Sequence, residues 1–407
     1  MSSRTMLRIG IPALLVGILL TIYFAPEAAA FVYETIAFFA PIWLPLLLAY
    51  LAWPLWLTFV RSRYVSQVPY TTIELKPGSE TPKTARPMEL VFYSLYHRSE
   101  VTKRDFLLGR VRLPWSFEIY AHAGGVRFFV HLPSEHRTAV EGRIRSEYHD
   151  IEMDEVRDYS REIPFHASHM RVAIREYALT KADPYPLKTY ESREAEREQK
   201  DPFVDMLEEL AMVGKEEHVL ISYIVRSHQR ERRSYFEDPR DSLHDDAYHV
   251  IADIVGIKGD VHTIPPPQQA VVVAIENSLK KPSFDCGIRA LYVAEKKAFD
   301  WSYEQKLDAL FSRFNDETLN SFTAYDPAER TGLLASEMFA VSGRVKAAHF
   351  MRLFRRRAFF APPYEGKPFV LNTEELATVF HMPHSGRGSV LAHRASVKLE
   401  PPENLPV

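Results

Sequence analysis

Cysteine is almost absent from the sequence, which limits the chemistry that the chain can support. The only one among 407 residues is Cys286, in an apolar run with the pattern of a strand. A single thiol cannot form an internal disulfide, so this usage agrees with a reducing compartment. The apolar surroundings favour a buried structural thiol over a nucleophile.

A nucleotide-binding motif is also absent. No GxxxxGK[ST] sequence occurs, and Gly386-Arg387-Gly388-Ser389 has neither the required spacing nor the lysine. The formal net charge is −3, so direct binding of nucleic acid would be weak or confined to a local basic patch. We therefore predict a chain that is not an enzyme, needs no cofactor and does not hydrolyse ATP by itself.

The N-terminal region holds two apolar runs free of charged residues, at 9–24 and 35–60. A helix needs about 17–20 apolar residues to cross a bilayer, so the second run is long enough and the first is borderline. Arginines precede the first run and follow the second, whereas the segment between them carries only Glu27 and Glu34. The positive-inside rule then predicts a transmembrane hairpin over 1–63, in a multi-pass protein of the inner (cytoplasmic) membrane with both termini cytoplasmic. Cleavage of the first run as a signal peptide, near Ala28-Ala29-Ala30, is the alternative.

The patterns after residue 63 predict an α+β protein with a duplicated fold. Over 64–160 they follow the order strand, helix, hairpin, helix, strand, which is the ferredoxin-like βαββαβ motif. The same order recurs over 161–180 and 200–325, where Asp201 and Pro202 have the pattern of a helix start. An insertion at 227–283 contains a helix from Ser242 to Val255 and a break at Pro265-Pro266-Pro267. We expect two ferredoxin-like domains with separate sheets, the second with this helical insertion, and then a connector at 340–407.

Histidine and aspartate are densest on the predicted insertion helix, at His244, Asp245, Asp246 and His249. His249 follows His244 by five residues, one more than the four that place two imidazoles on one helical face. A metal-dependent hydrolase is therefore the weakest alternative, and we predict no metal ligands.

Two basic segments stand out from the mildly acidic remainder. The first holds Arg230, Arg232 and Arg233, and the second holds four arginines between Arg352 and Arg357 beside several phenylalanines. Such segments can bind phosphates or acidic lipids. A solvated, charged helix end is the alternative.

The second basic segment begins the most distinctive passage, RRRAFFAPPY at 355–364, which LNTEELATVFHMP follows at 371–383. In the latter, Asn372 has the pattern of a helix cap with Glu375 at the third helical position. With the N-terminal hairpin and the segment 115–159, these passages resemble the membrane-anchored N-terminal region of bacterial HerA/FtsK-like and TraG/TraD-like ATPases of type IV secretion and conjugation. The resemblance covers nearly the whole chain. Members of that family continue into a RecA-like motor, and no catalytic residue of the motor matches a residue here.

The resemblance implies a non-catalytic inner-membrane scaffold that recruits a separate HerA/FtsK-like ATPase for DNA or protein translocation. Its expected partners are the lipid bilayer, the separate RecA-like ATPase and further copies of the chain in a homo-oligomer. A membrane-anchored interaction or sensing module unrelated to secretion is the alternative.

Aromatic residues and arginines are enriched at protein interfaces, so the distinctive passage is the predicted docking site for the ATPase. The alternative is that its aromatics close the core and its arginines remain solvated. The predicted docking residues are Arg352, Phe354, Arg355, Arg356, Arg357, Phe359, Phe360, Tyr364, Asn372 and Glu375.

Overall fold

The structure is a computed structural model that describes part of the chain. Its contacts divide the protein into two units, Met1–Val60 and Arg61–Val407. The described residues are 26–78, 81, 84–97, 102–196, 201–230, 240–256, 263–330, 343–361 and 364–383.

One long apolar helix, α1 (Pro26–Gln67), occupies the N-terminal region. Within the described residues, only its Ala30–Gln67 part is long and apolar enough to cross a membrane, and such a helix near the N-terminus fits one span or a signal sequence. The run at 9–24 lies outside the described residues.

The predicted multi-pass arrangement with two cytoplasmic termini is therefore wrong. The segment expected to be the turn of the hairpin is helical, because α1 covers it from Pro26 onward and runs without a break into the apolar run at 35–60. The alanines at 28–30 have the highest helix propensity of any residue.

The unit after Val60 is α+β and is built on one antiparallel sheet of nine strands. Its first half contains four strands, β1 (Tyr70–Lys76), β2 (Trp115–His122), β3 (Gly125–Pro133) and β4 (Glu152–Val156). The remaining sheet strands are β5 (Met170–Leu179), β6 (Glu217–Ser227), β7 (Ser283–Glu295), β8 (Phe322–Tyr325) and β11 (Phe369–Asn372), whereas β9 (Phe360–Ala361) and β10 (Tyr364–Glu365) pair separately.

Helices connect these strands. In the first half they are α2 (Arg86–Leu95), α3 (Lys103–Leu107), α4 (Arg137–Glu147) and α5 (Tyr159–Glu162). The later helices are α6 (Tyr190–Ala195), α7 (Pro202–Leu210), α8 (Ser242–Val255), α9 (Pro266–Leu279), α10 (Tyr303–Ala309), α11 (Gly343–Arg355) and α12 (Thr373–Val379).

The two halves share a single sheet instead of forming the two sheets that we expected. The strand order is β4-β1-β3-β2-β6-β7-β5-β8. The join lies between β2 and β6, which pair over eight residues from Trp115↔Val225 to His122↔His218. An edge strand exposes unpaired backbone groups that another strand can satisfy, and here each half satisfies the edge of the other.

Local signals placed most elements correctly, with two exceptions in the second half. Asp201 accepts a hydrogen bond from the amide of Phe203 at the start of α7, and α8 has the predicted bounds. The three prolines from Pro265 begin α9 instead of breaking the chain, which agrees with the preference of proline for the first turn. Ser302, which with Gln305 has the sequence pattern of a capping box, makes no capping hydrogen bond at the start of α10.

Alternating residues of the strands fill two apolar layers, one on each face of the sheet. Phe117, Ile119, Phe128 and Val130 pack with α2, α4, α7, α10 and α12. Leu220, Ile224, Leu291 and Val293 lie in the other layer, which α5 and α11 cover. All eight positions are buried, as the period-two alternation along each strand predicts, but they belong to opposite faces of one sheet and not to the cores of two domains.

Candidate functional site

An arginine-rich cleft of about 1030 Å³ lies in the α+β unit. Its walls come from the last turns of α1, from β1, from the chain before β2, and from the end of α11 with the residues that follow it. Three carboxylates, Glu155, Asp158 and Glu162, also line it. The ten arginines of the lining are Arg61, Arg110, Arg112, Arg157, Arg161, Arg226, Arg230, Arg355, Arg356 and Arg357.

The cleft brings together parts of the two basic segments that the sequence analysis singled out separately. Arg230 from the first segment and Arg355, Arg356 and Arg357 from the second line the same space. Arg232 and Arg233 lie outside the described residues. The other arginines of the lining are scattered along the chain, and no local pattern predicts that they converge.

Arg357 is buried and uses all five of its N–H donors. Its guanidinium binds both carboxylate oxygens of Glu118, at 2.8 and 3.0 Å, and both of Asp158, at 2.6 and 2.9 Å. The fifth donor reaches the carbonyl oxygen of Arg355 at 2.9 Å. Burial alone would raise the pKa of both carboxyls, but Arg357 outweighs it, so the pKa of Glu118 is lowered and that of Asp158 falls to about 2. This network is a fixed ion cluster within the protein, with no donor left for a partner.

Asp285 of β7 binds two more arginines of the lining. Its carboxylate accepts from Nε of Arg226 at 2.8 Å, lies 3.2 Å from a guanidinium nitrogen of Arg112, and contacts Nδ1 of His228 at 2.5 Å. Burial would raise the pKa of Asp285, but His228 and the two arginines lower it to about 2. Arg226 also stacks on the ring of Phe360, 4.5 Å from its centroid. Arg112 and Arg226 are thus held in place and share one negative charge, which offsets only part of theirs.

The remaining positive charge is concentrated at exposed positions. Arg157, Arg230 and Arg356 are exposed, and among the described residues none of them lies within ion-pair distance of a carboxylate. Arg355 is half-buried and donates to the carbonyl oxygens of Ser160 and Ile163, at 2.9 and 3.1 Å, which fixes its guanidinium without neutralising it. These four arginines give the cleft the chemistry of an anion-binding site.

The predicted docking residues are divided between the surface and the core. Arg352 and Arg356 are exposed, and Arg355 and Phe360 are half-buried. Phe354, Phe359 and Tyr364 lie in the apolar layer under α11. Asn372 and Glu375 are buried at the junction of β11 and α12, on the other side of the sheet.

Phe359 is held especially tightly. A Cβ atom added to Gly287 or Gly366 would lie within 2.4 Å of its ring, so the ring occupies the space that these two glycines leave open. Phe359 and its buried neighbours therefore act as internal packing in this structure.

Asn372 and Glu375 form a capping box at the start of α12, as the sequence predicts. The carboxylate of Glu375 accepts from the amides of Asn372 at 2.8 Å and Leu187 at 2.6 Å. Burial raises the pKa of Glu375 to about 8. The pair connects α12 to the segment before α6, and it has no part in the cleft.

The histidine cluster of α8 does not assemble a metal site. His244 contacts Asp241, the cap residue of α8, at 3.2 Å. Among the described residues there is no group of three or more His, Cys, Asp or Glu side chains that could hold a metal ion. Cys286 is buried in β7, and burial raises the pKa of its thiol well above the usual value.

Acidification is expected to destabilise the protein through His218. This residue of β6 is buried, stacks on His122 at 4.3 Å between ring centroids, and contacts the hydroxyl of Tyr120 at 2.8 Å. Burial, and then the neighbouring His122, lower the pKa of His218 to about 4. The unfolded chain then binds more protons than the folded chain between about pH 6.5 and 4, so stability falls as the pH falls.

Urea unfolding at pH 7.5 and pH 5 measures this effect. Between pH 7.5 and pH 5, the free energy of unfolding should fall by about 2 kcal/mol more for the wild type than for the His218→Gln variant. His244→Gln, which changes an exposed histidine, should follow the wild-type profile. If the free energy of unfolding depends on pH in the same way for the wild type and for His218→Gln, the prediction is contradicted.

Comparison with known protein families covers nearly all of the α+β unit. A comparison with curated proteins gives no match, so the resemblance to HerA/FtsK-like and TraG/TraD-like ATPases stays a prediction. One family model, described as Domain of unknown function (DUF8128), matches residues 65–387, from the last turn of α1 to beyond α12. The chain belongs to this family.

Proposed function

We propose that the protein is a non-catalytic scaffold, tethered to a membrane by α1, that recruits a separate RecA-like ATPase for DNA or protein translocation. The resemblance of the RRRAFFAPPY and LNTEELATVFHMP passages supports the ATPase as partner. The length and apolar character of Ala30–Gln67 support the tether. Several copies of the chain would form the scaffold.

Each half of the sheet is, in this proposal, a ferredoxin-like unit. The first half has the order β4-β1-β3-β2, and the second has β8-β5-β7-β6 when followed from its outer edge. Both correspond to the order 4-1-3-2 of a βαββαβ motif. The second strands of the two units, β2 and β6, pair with each other at the join. A duplicated unit of this kind presents two similar surfaces, which suits a scaffold.

The single observation that carries the recruitment proposal is the exposed basic surface at the end of α11. Arg352 and Arg356 are exposed there, and Arg356 lines the cleft together with the half-buried Phe360. The buried aromatics support this surface from below and leave a basic docking site for an acidic face of the ATPase. The proposed docking site thus contains fewer residues than the ten predicted from the sequence.

Co-purification with a genomically linked ATPase tests the proposal. The double variant Arg352→Ser/Arg356→Ser should lower the affinity at least tenfold, because charged hot-spot contacts cost more than about 1.4 kcal/mol when truncated. Its melting temperature should stay at the wild-type value, since both side chains are exposed. Arg145→Ser, on the exposed side of α4, is the matched control. Retention of the ATPase by the double variant, or ATP hydrolysis by the purified wild-type chain, would contradict the proposal.

A further inference from the structure

We propose that the arginine-lined cleft binds the phosphate headgroup of an anionic phospholipid, an inference that rests on the membrane tether of the proposed function. Phosphate fits the guanidinium fork, because two parallel N–H donors can meet two phosphate oxygens. The exposed Arg157, Arg230 and Arg356 and the fixed Arg355 supply such forks.

The carboxylates in and beside the cleft leave this charge available. Asp158 is occupied by Arg357, and Asp285 by Arg112 and Arg226. Glu155 pairs with Arg137, a residue outside the lining, and accepts from the hydroxyl of Thr71 at 2.8 Å. Glu162 also lines the cleft, is exposed, and lies within ion-pair distance of none of the four available arginines. The cleft is therefore positively charged where a ligand would enter.

Chain continuity places part of this wall at the level of lipid headgroups. Arg61, Ser62, Val65 and Ser66 line the cleft and directly continue the apolar run that ends at Val60. At about 1.5 Å of rise per helical residue, Arg61 to Ser66 span about 8 Å. The headgroup layer on each side of a bilayer is about 5–8 Å thick. If α1 crosses the membrane, these four residues lie in that layer.

The aromatic side chains of the lining argue for a headgroup over a single-stranded nucleic acid, which binds by stacking bases on free aromatic rings. The ring of Phe106 is covered by Arg61 at 5.3 Å and that of Phe360 by Arg226. Tyr70 stacks on His131, and Trp115 contacts the ring of His136. Phe359 is buried. The cleft thus offers cations and apolar walls but poor stacking platforms.

Native mass spectrometry of the full chain in a neutral detergent tests the site. Phosphatidylglycerol should bind at least tenfold more tightly than phosphatidylcholine. The variant Arg157→Ser/Arg230→Ser should bind phosphatidylglycerol about thirtyfold more weakly, since each basic residue near an anionic surface contributes about fivefold. Arg145→Ser/Arg344→Ser removes two exposed arginines outside the lining and should bind as wild type does.

Competition and extraction separate the remaining outcomes. If inorganic phosphate displaces phosphatidylglycerol at equal concentration, the ligand of the cleft is free phosphate and not a lipid headgroup. If a single-stranded oligonucleotide displaces phosphatidylglycerol, the ligand is a nucleic acid. Equal lipid binding by wild type and the cleft variant, in a chain that resists alkaline carbonate extraction, would overturn the cleft site alone. Release of the full chain by carbonate would overturn the tether, and with it the place of the cleft in the headgroup layer.

Discussion

Replacement of Arg357 by methionine is expected to lower the free energy of unfolding by about 3–5 kcal/mol. The change leaves the carboxylates of Glu118 and Asp158 without their cation, and Glu118 is fully buried. A buried charge that loses its partner keeps its full desolvation penalty. Urea unfolding at pH 7.5 measures the loss.

The neighbouring residue provides a matched control. Arg356→Met removes an exposed arginine one position earlier and should change stability by no more than about 0.5 kcal/mol. Arg357→Lys keeps the charge but loses the paired hydrogen bonds, so its free energy of unfolding should lie between those of Arg357→Met and the wild type. Equal stability of Arg357→Met and Arg356→Met would show that the ion cluster contributes nothing.

Replacement of Glu176 by glutamine is expected to be similarly costly, at about 3–5 kcal/mol. Glu176 and Arg289 are both fully buried and joined by hydrogen bonds of 2.8 and 2.5 Å. The second oxygen of Glu176 accepts from the hydroxyls of Tyr325 and Tyr364, at 3.0 and 2.7 Å. Glutamine retains the shape but removes the charge that compensates Arg289.

A double variant separates the loss of the pair from the loss of packing. Glu176→Gln/Arg289→Met removes both charges and should recover most of the stability that Glu176→Gln loses, because the buried cation is gone. Thermal and urea unfolding of the wild type and the two variants provide the comparison. If the double variant is less stable than Glu176→Gln by the full cost of a second substitution, the pair does not act as a unit.

Both ion clusters lie on the face of the sheet that α11 covers, and this explains the character of the RRRAFFAPPY passage. Arg357 closes one cluster, whereas the hydroxyl of Tyr364 and the carbonyl oxygen of Ala358 complete the other. The passage therefore combines internal cations and aromatics with a few exposed arginines. Composition alone does not separate these two roles, since a buried and an exposed arginine look the same in a sequence.

Local features of the fold followed from the sequence alone. Asp201 with Pro202, and Asn372 with Glu375, marked the starts of α7 and α12, because a cap depends only on residues within one turn. The alternation of apolar and polar residues along β2 and β3 is enough to place Phe117 and Phe128 on a buried face. The hairpin of β2 and β3 is local for the same reason, since periodicity is set by neighbours along the chain.

Only the tertiary structure decided which elements meet. The pairing of β2 with β6 merged two expected sheets into one, and the choice of partner at a sheet edge depends on strands about a hundred residues apart. The helix α1 covers the segment where the turn of the hairpin was expected. The ten arginines of the cleft converge from segments between Arg61 and Arg357, and the positions of Glu118, Asp158 and Asp285 decide which of them are held in buried ion pairs. The sequence by itself determined the local elements, whereas the sheet and the cleft were set by long-range contacts that no local pattern encodes.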